Sequence, residues 1–326
     1  MILVTGAAGF IGSCLVSKLL GSGEEVIGLD NFCDNYSPLR KRENVAEFLD
    51  NPKFTLLEMD FTNRDQISVL FSKRPIDVVV HLGAFGNVRR SIEVPCDYVE
   101  NNILGTTILL EAASKAKVKH FVFASTSSVY GKRDKVPFFE SDSTDLPLAP
   151  YPASKKACEC FGHAFYNMTG LNFTALRFFN VYGPKGRPDM MPFRVMNAIK
   201  HDEEITIYNE GKIFRDWTFI DDIVAGIMAA MARPNGYQIF NLGRGEPVEL
   251  NTFISIIESL TNKKLRIKNV ATPLSEPLIT YANVDKAHQE LGYSPKVSFP
   301  EGISRFYEWF EKAVVCNDKC CCHHQH

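Results

Sequence analysis

The chain has 326 residues, 45% of them hydrophobic and 23% charged, with a formal net charge of -2. That length buries a sizeable core and suits one large domain with an elaboration, or two closely packed ones. The near-neutral balance excludes a broad basic face for nucleic acid, and the apolar runs are too short to span a bilayer.

Met1 runs straight into the apolar Ile2-Leu-Val-Thr with no charged leader, so no secretory signal is expected. The run opens into Gly6, Gly9 and Gly12, with Phe10 and Ile11 between the last two, and a helical pattern follows over residues 14–20. Glycine permits a tight turn and a close backbone approach to a pyrophosphate, and a helix N-terminus offers that anion free amides and a positive dipole end. A second apolar strand, residues 25–29, ends at Asp30 and Asn31. An acidic residue there accepts hydrogen bonds from the adenosine ribose hydroxyls and repels a 2′-phosphate, which favours NAD over NADP. Arg40, Lys41 and Arg42 come next, past that acidic selector, and read as a solvated loop and short helix.

Strands at 54–59, 76–82 and 121–124 alternate with helical patterns at 62–72 and 101–117. The expected fold is α/β: a Rossmann-type doubly wound parallel sheet covered on both faces, with ligands beyond the C-terminal ends of its strands. Those ends carry Gly6, Asp30, Asp60-Phe61, His81-Leu82-Gly83-Ala84 and Ser125-Thr126, which converge on one crevice. Asp60 and Phe61 stand where an adenine ring can be edged, and Asn101 opens the helix after Ala84. Tyr151-Pro-Ala-Ser-Lys155 follows. In a helix, residues four apart share a face, one turn apart. An ammonium near a phenol favours the phenolate and makes it a proton acceptor near neutral pH.

Farther on, Gly186-Arg187-Pro188-Asp189-Met190 places a guanidinium in a loop, where it can grip phosphate or carboxylate in two-pronged fashion. Helical spacing at 253–260 and 303–314 closes the second lobe. Cys158 and Cys160 read as packing residues. The nine cysteines are odd in number, in a chain too large to need disulfide staples, and suit a reduced, cytoplasmic setting. The tail, residues 313–326, crowds Cys and His, but its adjacent cysteines do not match the spaced pairs of a zinc site. We expect it to be disordered, and no metal site in the chain.

The glycine pattern, Asp30, Ser125-Thr-Ser-Ser-Val-Tyr-Gly131 and Tyr151-x-x-x-Lys155 resemble the extended short-chain dehydrogenase/reductase family. Leu176-Arg-Phe-Phe-Asn-Val-Tyr-Gly-Pro184 and Arg215-Asp-Trp-Thr-Phe-Ile-Asp-Asp222 resemble its nucleotide-sugar enzymes. The likeness runs over about residues 1 to 312. It implies tightly held NAD, a nucleotide-diphosphate sugar substrate and a homodimer. It implies a Rossmann domain at 1–180 with later segments interleaved from about 210 to 245, and a smaller α/β substrate lobe at 181–312. It makes Tyr151, Lys155 and Thr126 catalytic, with Thr126 bridging the sugar hydroxyl and Tyr151. Cofactor contacts fall to Gly6, Gly9, Phe10, Ile11, Gly12, Asp30, Asn31, Asp60, Phe61, Leu82, Ala84, Asn101, Tyr151, Lys155 and Phe179, the last against the nicotinamide. Asn180 lies near the sugar or diphosphate, Arg187 and Arg215 near the diphosphate, and Glu276 near the uridine ribose.

The dehydratase branch follows its threonine with Asp-Glu, and the decarboxylase branch carries a glutamate before Val-Tyr-Gly. Ser127 and Ser128 stand at those places and lack a carboxylate's acid–base capacity. Epimerisation, which returns the same hydride, is therefore favoured. The chain most resembles UDP-glucuronate 4-epimerases, with Ser127 and Ser128 donating to a C6 carboxylate and Arg89 balancing its charge. Asn180 is nearer the UDP-galactose type, so UDP-glucose or UDP-N-acetylglucosamine remains an alternative substrate. A cofactor-sensing protein without turnover is the alternative from another class.

Overall fold

The computed structural model describes residues 1–133, 135–271 and 277–314. Glu276 and most of the Cys/His-rich tail, from residue 315 on, lie outside the described residues. The first half alternates as expected: β1 (Ile2–Thr5), α1 (Phe10–Gly21), β2 (Val26–Asp30), α2 (Pro38–Ala46), β3 (Phe54–Glu58), α3 (Arg64–Lys73) and β4 (Val78–His81). After β4 come two short helices, α4 (Val88–Glu93) and α5 (Pro95–Tyr98), a π-helical turn at Val99–Leu104, and α6 (Gly105–Lys115). The helix expected over 101–117 thus begins as an underwound turn carrying an extra residue, which a 3.6-residue periodicity does not register. β5 (His120–Thr126), a 3-10 turn (Ser127–Tyr130), α7 (Pro150–Thr169) and β6 (Asn172–Phe178) complete this half.

The chain continues with β7 (Asn180–Tyr182), α8 (Met191–His201), β8 (Glu204–Tyr208), β9 (Phe214–Phe219), α9 (Ile220–Met231) and β10 (Tyr237–Leu242). β11 (Pro247–Glu249), α10 (Leu250–Thr261), β12 (Arg266–Val270), β13 (Ile279–Thr280), α11 (Asp285–Leu291) and α12 (Phe299–Val314) end it. One seven-stranded sheet runs β10-β6-β5-β4-β1-β2-β3. All its pairings are parallel. The order reverses at β1, so the crevice beyond the ends of β1 and β4 is the topological switch point at which such sheets take ligands. β10 joins this sheet from beyond residue 181 by pairing with β6. β7, β9, β11 and β13 form a smaller sheet, and β8 pairs with β12.

The strands read as continuous apolar runs because both faces are covered. Successive side chains alternate faces: Leu3, Val79, Phe121 and Phe123 pack on one side, and Val4, Val80 and Val122 on the other. Each such full burial contributes about 1.5–3 kcal/mol.

The basic cluster corrects one expectation, because it is not simply solvated. Lys41 is 5% exposed. Arg40 lies over the Phe193 ring and Arg42 over the Phe32 ring. Long basic side chains cover aromatic surface with their stems and guanidinium faces, which charge patterning alone does not reveal.

Candidate active site

The glycine turn comes first because everything else packs around it. Gly6 has φ +66, and a Cβ there would come within 2.8 Å of the Gly83 backbone. A Cβ on Gly12 would overlap the Gly6 carbonyl. Only glycine fits either position. Gly9 is the N-cap of α1 and offers no side-chain cap, so the amides of the first turn, Phe10, Ile11 and Gly12, remain for an anion. Asp30 is buried at the end of β2, where its Oδ2 accepts from Ala8 N at 3.0 Å and its Oδ1 from Phe32 N at 2.9 Å. Asp30 is thereby tied to the glycine turn.

Asn31 Nδ2 donates to Asp60 Oδ2 at 2.9 Å, while Asp60 Oδ1 accepts from Thr62 N and Oγ1. Burial works against the Asp60 carboxylate, but the Thr62 and Asn31 hydrogen bonds outweigh it and hold the pKa below the usual value. The Phe61 ring turns inward, edge-on to His81 at 5.2 Å and close over Gly83 and Gly105. It is 7% exposed and packs beneath the segment after β4. Leu82 N donates to Thr5 O, which fixes the start of the Leu82–Ala84 segment beside the glycine turn. His81 is fully buried between Thr5 Oγ1 at 2.6 Å and Thr106 Oγ1 at 3.0 Å. Burial and then the Lys155 charge pull its pKa well below the normal range, so it is neutral.

Tyr151 is the second residue of α7 and Lys155 lies one turn on. Lys155 Nζ donates to Ala124 O of β5 at 2.8 Å and stands 4.6 Å from the Phe123 ring centroid. Burial pulls its pKa down to about 8, against the raising influence of Cys158 and Glu159. The Tyr151 phenol corrects the sequence expectation of a lowered pKa. Burial pushes it up, opposed by a hydrogen bond with Thr126 and by the Arg187 charge. Lys155 shares the face with Tyr151, but its ammonium is bonded to a strand carbonyl, and the cation acting on the phenol is Arg187.

Thr126 ends β5, accepts from Ser128 N at 3.2 Å and donates to Ser128 Oγ at 3.2 Å. Thr126 and Ser128 therefore form a hydroxyl pair, Ser127 lies between them in the chain, and none of the three is a carboxylate. Arg187 grips Asp189 with Nε–Oδ1 at 2.9 Å and Nη2–Oδ2 at 2.6 Å, and Asn87 Nδ2 reaches Asp189 Oδ2 at 3.2 Å. This strap joins the segment after β4 to the loop before α8 across the crevice. Gly86 leaves room for it, since a Cβ there would lie 2.8 Å from Arg187 Nη1.

Other expected residues are less central. Phe179 is 5% exposed and packs with Val129, Tyr130 and Phe138. Asn180 opens β7 opposite Trp217. Arg215 sits in β9, donating from Nη1 to Phe214 O at 2.8 Å. Arg89 is exposed and donates to Tyr208 OH at 2.8 Å, with no hydrogen bond to Ser127 or Ser128. This contact ties the start of α4 to the end of β8 at the surface. Asn101 is buried and donates to Asn102 Oδ1.

Sequence reasoning missed Asn102, Ser154 and Glu159. Asn102 clamps the Phe85 backbone through both N and O and donates to Ser154 Oγ at 2.9 Å. Ser154 in turn donates to Tyr151 O at 2.7 Å. Glu159 accepts from Ser125 Oγ at 2.6 Å and pairs with Arg177 at 2.8 Å, both partners buried. A signal existed for Glu159: it follows Lys155 by four, as Lys155 follows Tyr151, on the same helical face. A groove of about 580 Å³ runs between β10 and α11, lined by Phe139, Tyr237 and Lys286, and no residue of the glycine turn or of the tyrosine–lysine pair faces it.

A dinucleotide fits what the crevice presents: an uncapped helix N-terminus over a turn that admits no Cβ, and an acidic group at the end of β2. The fold and site define a Rossmann-type protein with a tyrosine–lysine pair beside its dinucleotide crevice. The chain belongs to the NAD dependent epimerase/dehydratase family, whose sequence profile matches residues 2–243. A UDP-glucuronate 4-epimerase of Thermodesulfobacterium geofontis is 38% identical over 313 residues, covering 96% of each chain. The crystal structure of UDP-glucuronic acid 4-epimerase from Bacillus cereus, in complex with UDP-glucuronic acid and NAD, superposes with a TM-score of 0.90. It is 35% identical, covering 96% of this chain and 99% of that one. UDP-glucose 4-epimerase of Thermotoga maritima, with UDP-glucose, gives 0.88 at 31% identity, covering 96% of this chain and 99% of that one.

Proposed function

We propose that this protein is an NAD-dependent isomerase that inverts carbon 4 of a UDP-sugar, converting UDP-glucuronate to UDP-galacturonate. The observation that carries this reading is the hydroxyl pair Thr126 and Ser128, Thr126 bonded to Tyr151, in a run with no carboxylate and beside a crevice shaped for a dinucleotide. The 4-epimerase relatives support it. When bound, NAD supplies reversible hydride acceptance, so carbon 4 passes through a ketone and is reduced again. Gly6, Gly9, Gly12 and the first amides of α1 hold its diphosphate, and Asp30 its adenosine ribose.

Tyr151 takes the proton of the sugar 4-hydroxyl at its phenol oxygen and returns it after the hydride has come back, with Thr126 relaying or orienting that hydroxyl. Arg187 lowers the cost of the phenolate, offsetting the burial that raises its pKa. Lys155, anchored on Ala124 O, holds the nicotinamide ribose. Between the two transfers the keto sugar turns about its bond to the diphosphate and presents its other face. Ser127 and Ser128 donate to the C6 carboxylate, and with no carboxylate at either position neither dehydration nor decarboxylation is served. Phe179, Asn180 and Arg215 complete the pocket, and Glu276 serves the uridine ribose.

In this reading residues 1–180 with the interleaved β10 carry the cofactor, and 181–312 carry the sugar nucleotide. The assembly is a homodimer through α6 and α7, whose neighbourhood exposes Val99, Leu104, Phe161 and Met168 at 53%, 48%, 40% and 67%. The unpaired Cys14, Cys33, Cys96, Cys158 and Cys160 suit a cytoplasmic setting. Asn180 favours the neutral-sugar alternative. The deciding experiment incubates the protein separately with UDP-glucuronate, UDP-glucose and UDP-N-acetylglucosamine and resolves the 4-epimers by chromatography. UDP-galacturonate from the first is the expected product. Turnover of the neutral sugars alone overturns the uronate assignment, and turnover of none returns the protein to cofactor sensing.

A further inference from the structure

The loop between β2 and α2 is shaped by Asp30 and Asn31. Phe32 N donates to Asp30 Oδ1 at 2.9 Å, and Cys33 N to Asn31 Oδ1 at 3.1 Å. Phe32 has φ +50, a left-handed conformation that a bulky residue rarely adopts. The reversal brings Tyr36 back over the glycine turn, where its hydroxyl lies 3.9 Å from the place a Cβ on Gly9 would occupy. The ring is held by Lys41, whose Nζ stands 5.0 Å from the ring centroid while donating to Cys33 O at 2.7 Å.

The Tyr36 hydroxyl is shielded from solvent and has no hydrogen-bond partner among the described residues. Burial and then the Asp30 charge raise its pKa, so it is a neutral O–H donor, and the Arg187 and Arg40 charges also act on it. Asp30 stands nearby, but its two oxygens are engaged by Ala8 N and Phe32 N. A buried donor with no acceptor is unfavourable and rare. Here donor, uncapped helix N-terminus and guanidinium charges meet at one place. That combination matches an anion rich in acceptor oxygens.

We infer that the Tyr36 hydroxyl donates a hydrogen bond to a diphosphate oxygen of the bound dinucleotide. The inference rests on the reading that the crevice takes NAD. It adds to the glycine turn a side-chain donor, carried on a loop whose shape is set by the ribose-selecting aspartate.

Tyr36→Phe keeps the ring and removes the donor. On protein stripped of NAD, the variant should melt at or above the wild-type temperature, because an unpartnered hydroxyl is gone. Its dissociation constant for NAD, by titration calorimetry, should rise about 10-fold or more, as for loss of a charge-assisted hydrogen bond. ADP-ribose should weaken likewise, and adenosine, which lacks the diphosphate, should bind as to wild type. Equal NAD affinity in the two proteins overturns the inference. So does an equal loss for adenosine and ADP-ribose, which marks general distortion. A wild type that binds no NAD brings down the proposed function as well.

Discussion

At the scale of single residues, the site is defined by a phenol whose burial and whose neighbours oppose one another. Tyr151→Phe removes the proposed proton acceptor, and kcat should fall about 10²- to 10⁴-fold. NAD retention should be unchanged, which chromatographic assay and the cofactor's absorbance check together. Lys155 titrates near 8 because burial disfavours its ammonium. Its charge is present below that pH and lost above it, so kcat/KM should decline on the alkaline side with an apparent pKa in that region. A profile flat to pH 10 would remove the ammonium from the mechanism. Ser127 and Ser128 belong to the uronate reading. A Ser127→Ala, Ser128→Ala protein should lose affinity for UDP-glucuronate by about 10- to 100-fold, as two charge-assisted hydrogen bonds disappear. KM for UDP-glucose should hardly move in the same protein, and a parallel rise for both sugars would argue against a carboxylate contact.

At the scale of elements, the reacting groups are held by a buried ion pair behind them. Glu159 on α7 ties Ser125 at the end of β5 to Arg177 on β6, and the Arg177 guanidinium lies 4.8 Å from the Tyr130 ring centroid. Tyr130 OH donates to Asn241 Oδ1 at 2.6 Å, extending the network to β10. Breaking a buried pair leaves an uncompensated charge and costs about 3–5 kcal/mol. Glu159→Gln should show a loss of that size in urea unfolding, and a change under 1 kcal/mol would mean water reaches the pair. The π-helical turn does comparable work for the other wall of the crevice. Its extra residue places Asn102 where one side chain clamps the Phe85 backbone and also meets Ser154 beneath Tyr151.

For the molecule as a whole, the sheet buries two neutral imidazoles. Burial pulls His120 down to about 4 and His81 well below the normal range. Both folded-state values lie below the unfolded one, so the unfolded chain binds more protons between them. Stability is therefore complete above about pH 6.5 and falls as the pH drops towards 4, by on the order of 3 kcal/mol for His120. Urea midpoints measured from pH 7 to pH 4 test the slope, and His120→Gln should flatten it. An unchanged slope would assign the acid lability to other groups.

What the sequence by itself determined is everything that depends on local spacing. Glycines three apart after an apolar strand, an acid at the end of the next strand and a tyrosine four before a lysine on one helical face are each placed by spacing within a few residues. Alternating strands and helices then fix a parallel sheet, because both faces must be covered. Tertiary structure alone decided which charges meet. Lys41 is buried under an aromatic ring, Arg89 reaches Tyr208 on β8, and Arg187, over thirty positions from Tyr151, supplies a cation that acts on the phenol. Charges interact by distance in space through a medium whose response depends on burial, and neither quantity is written along the chain.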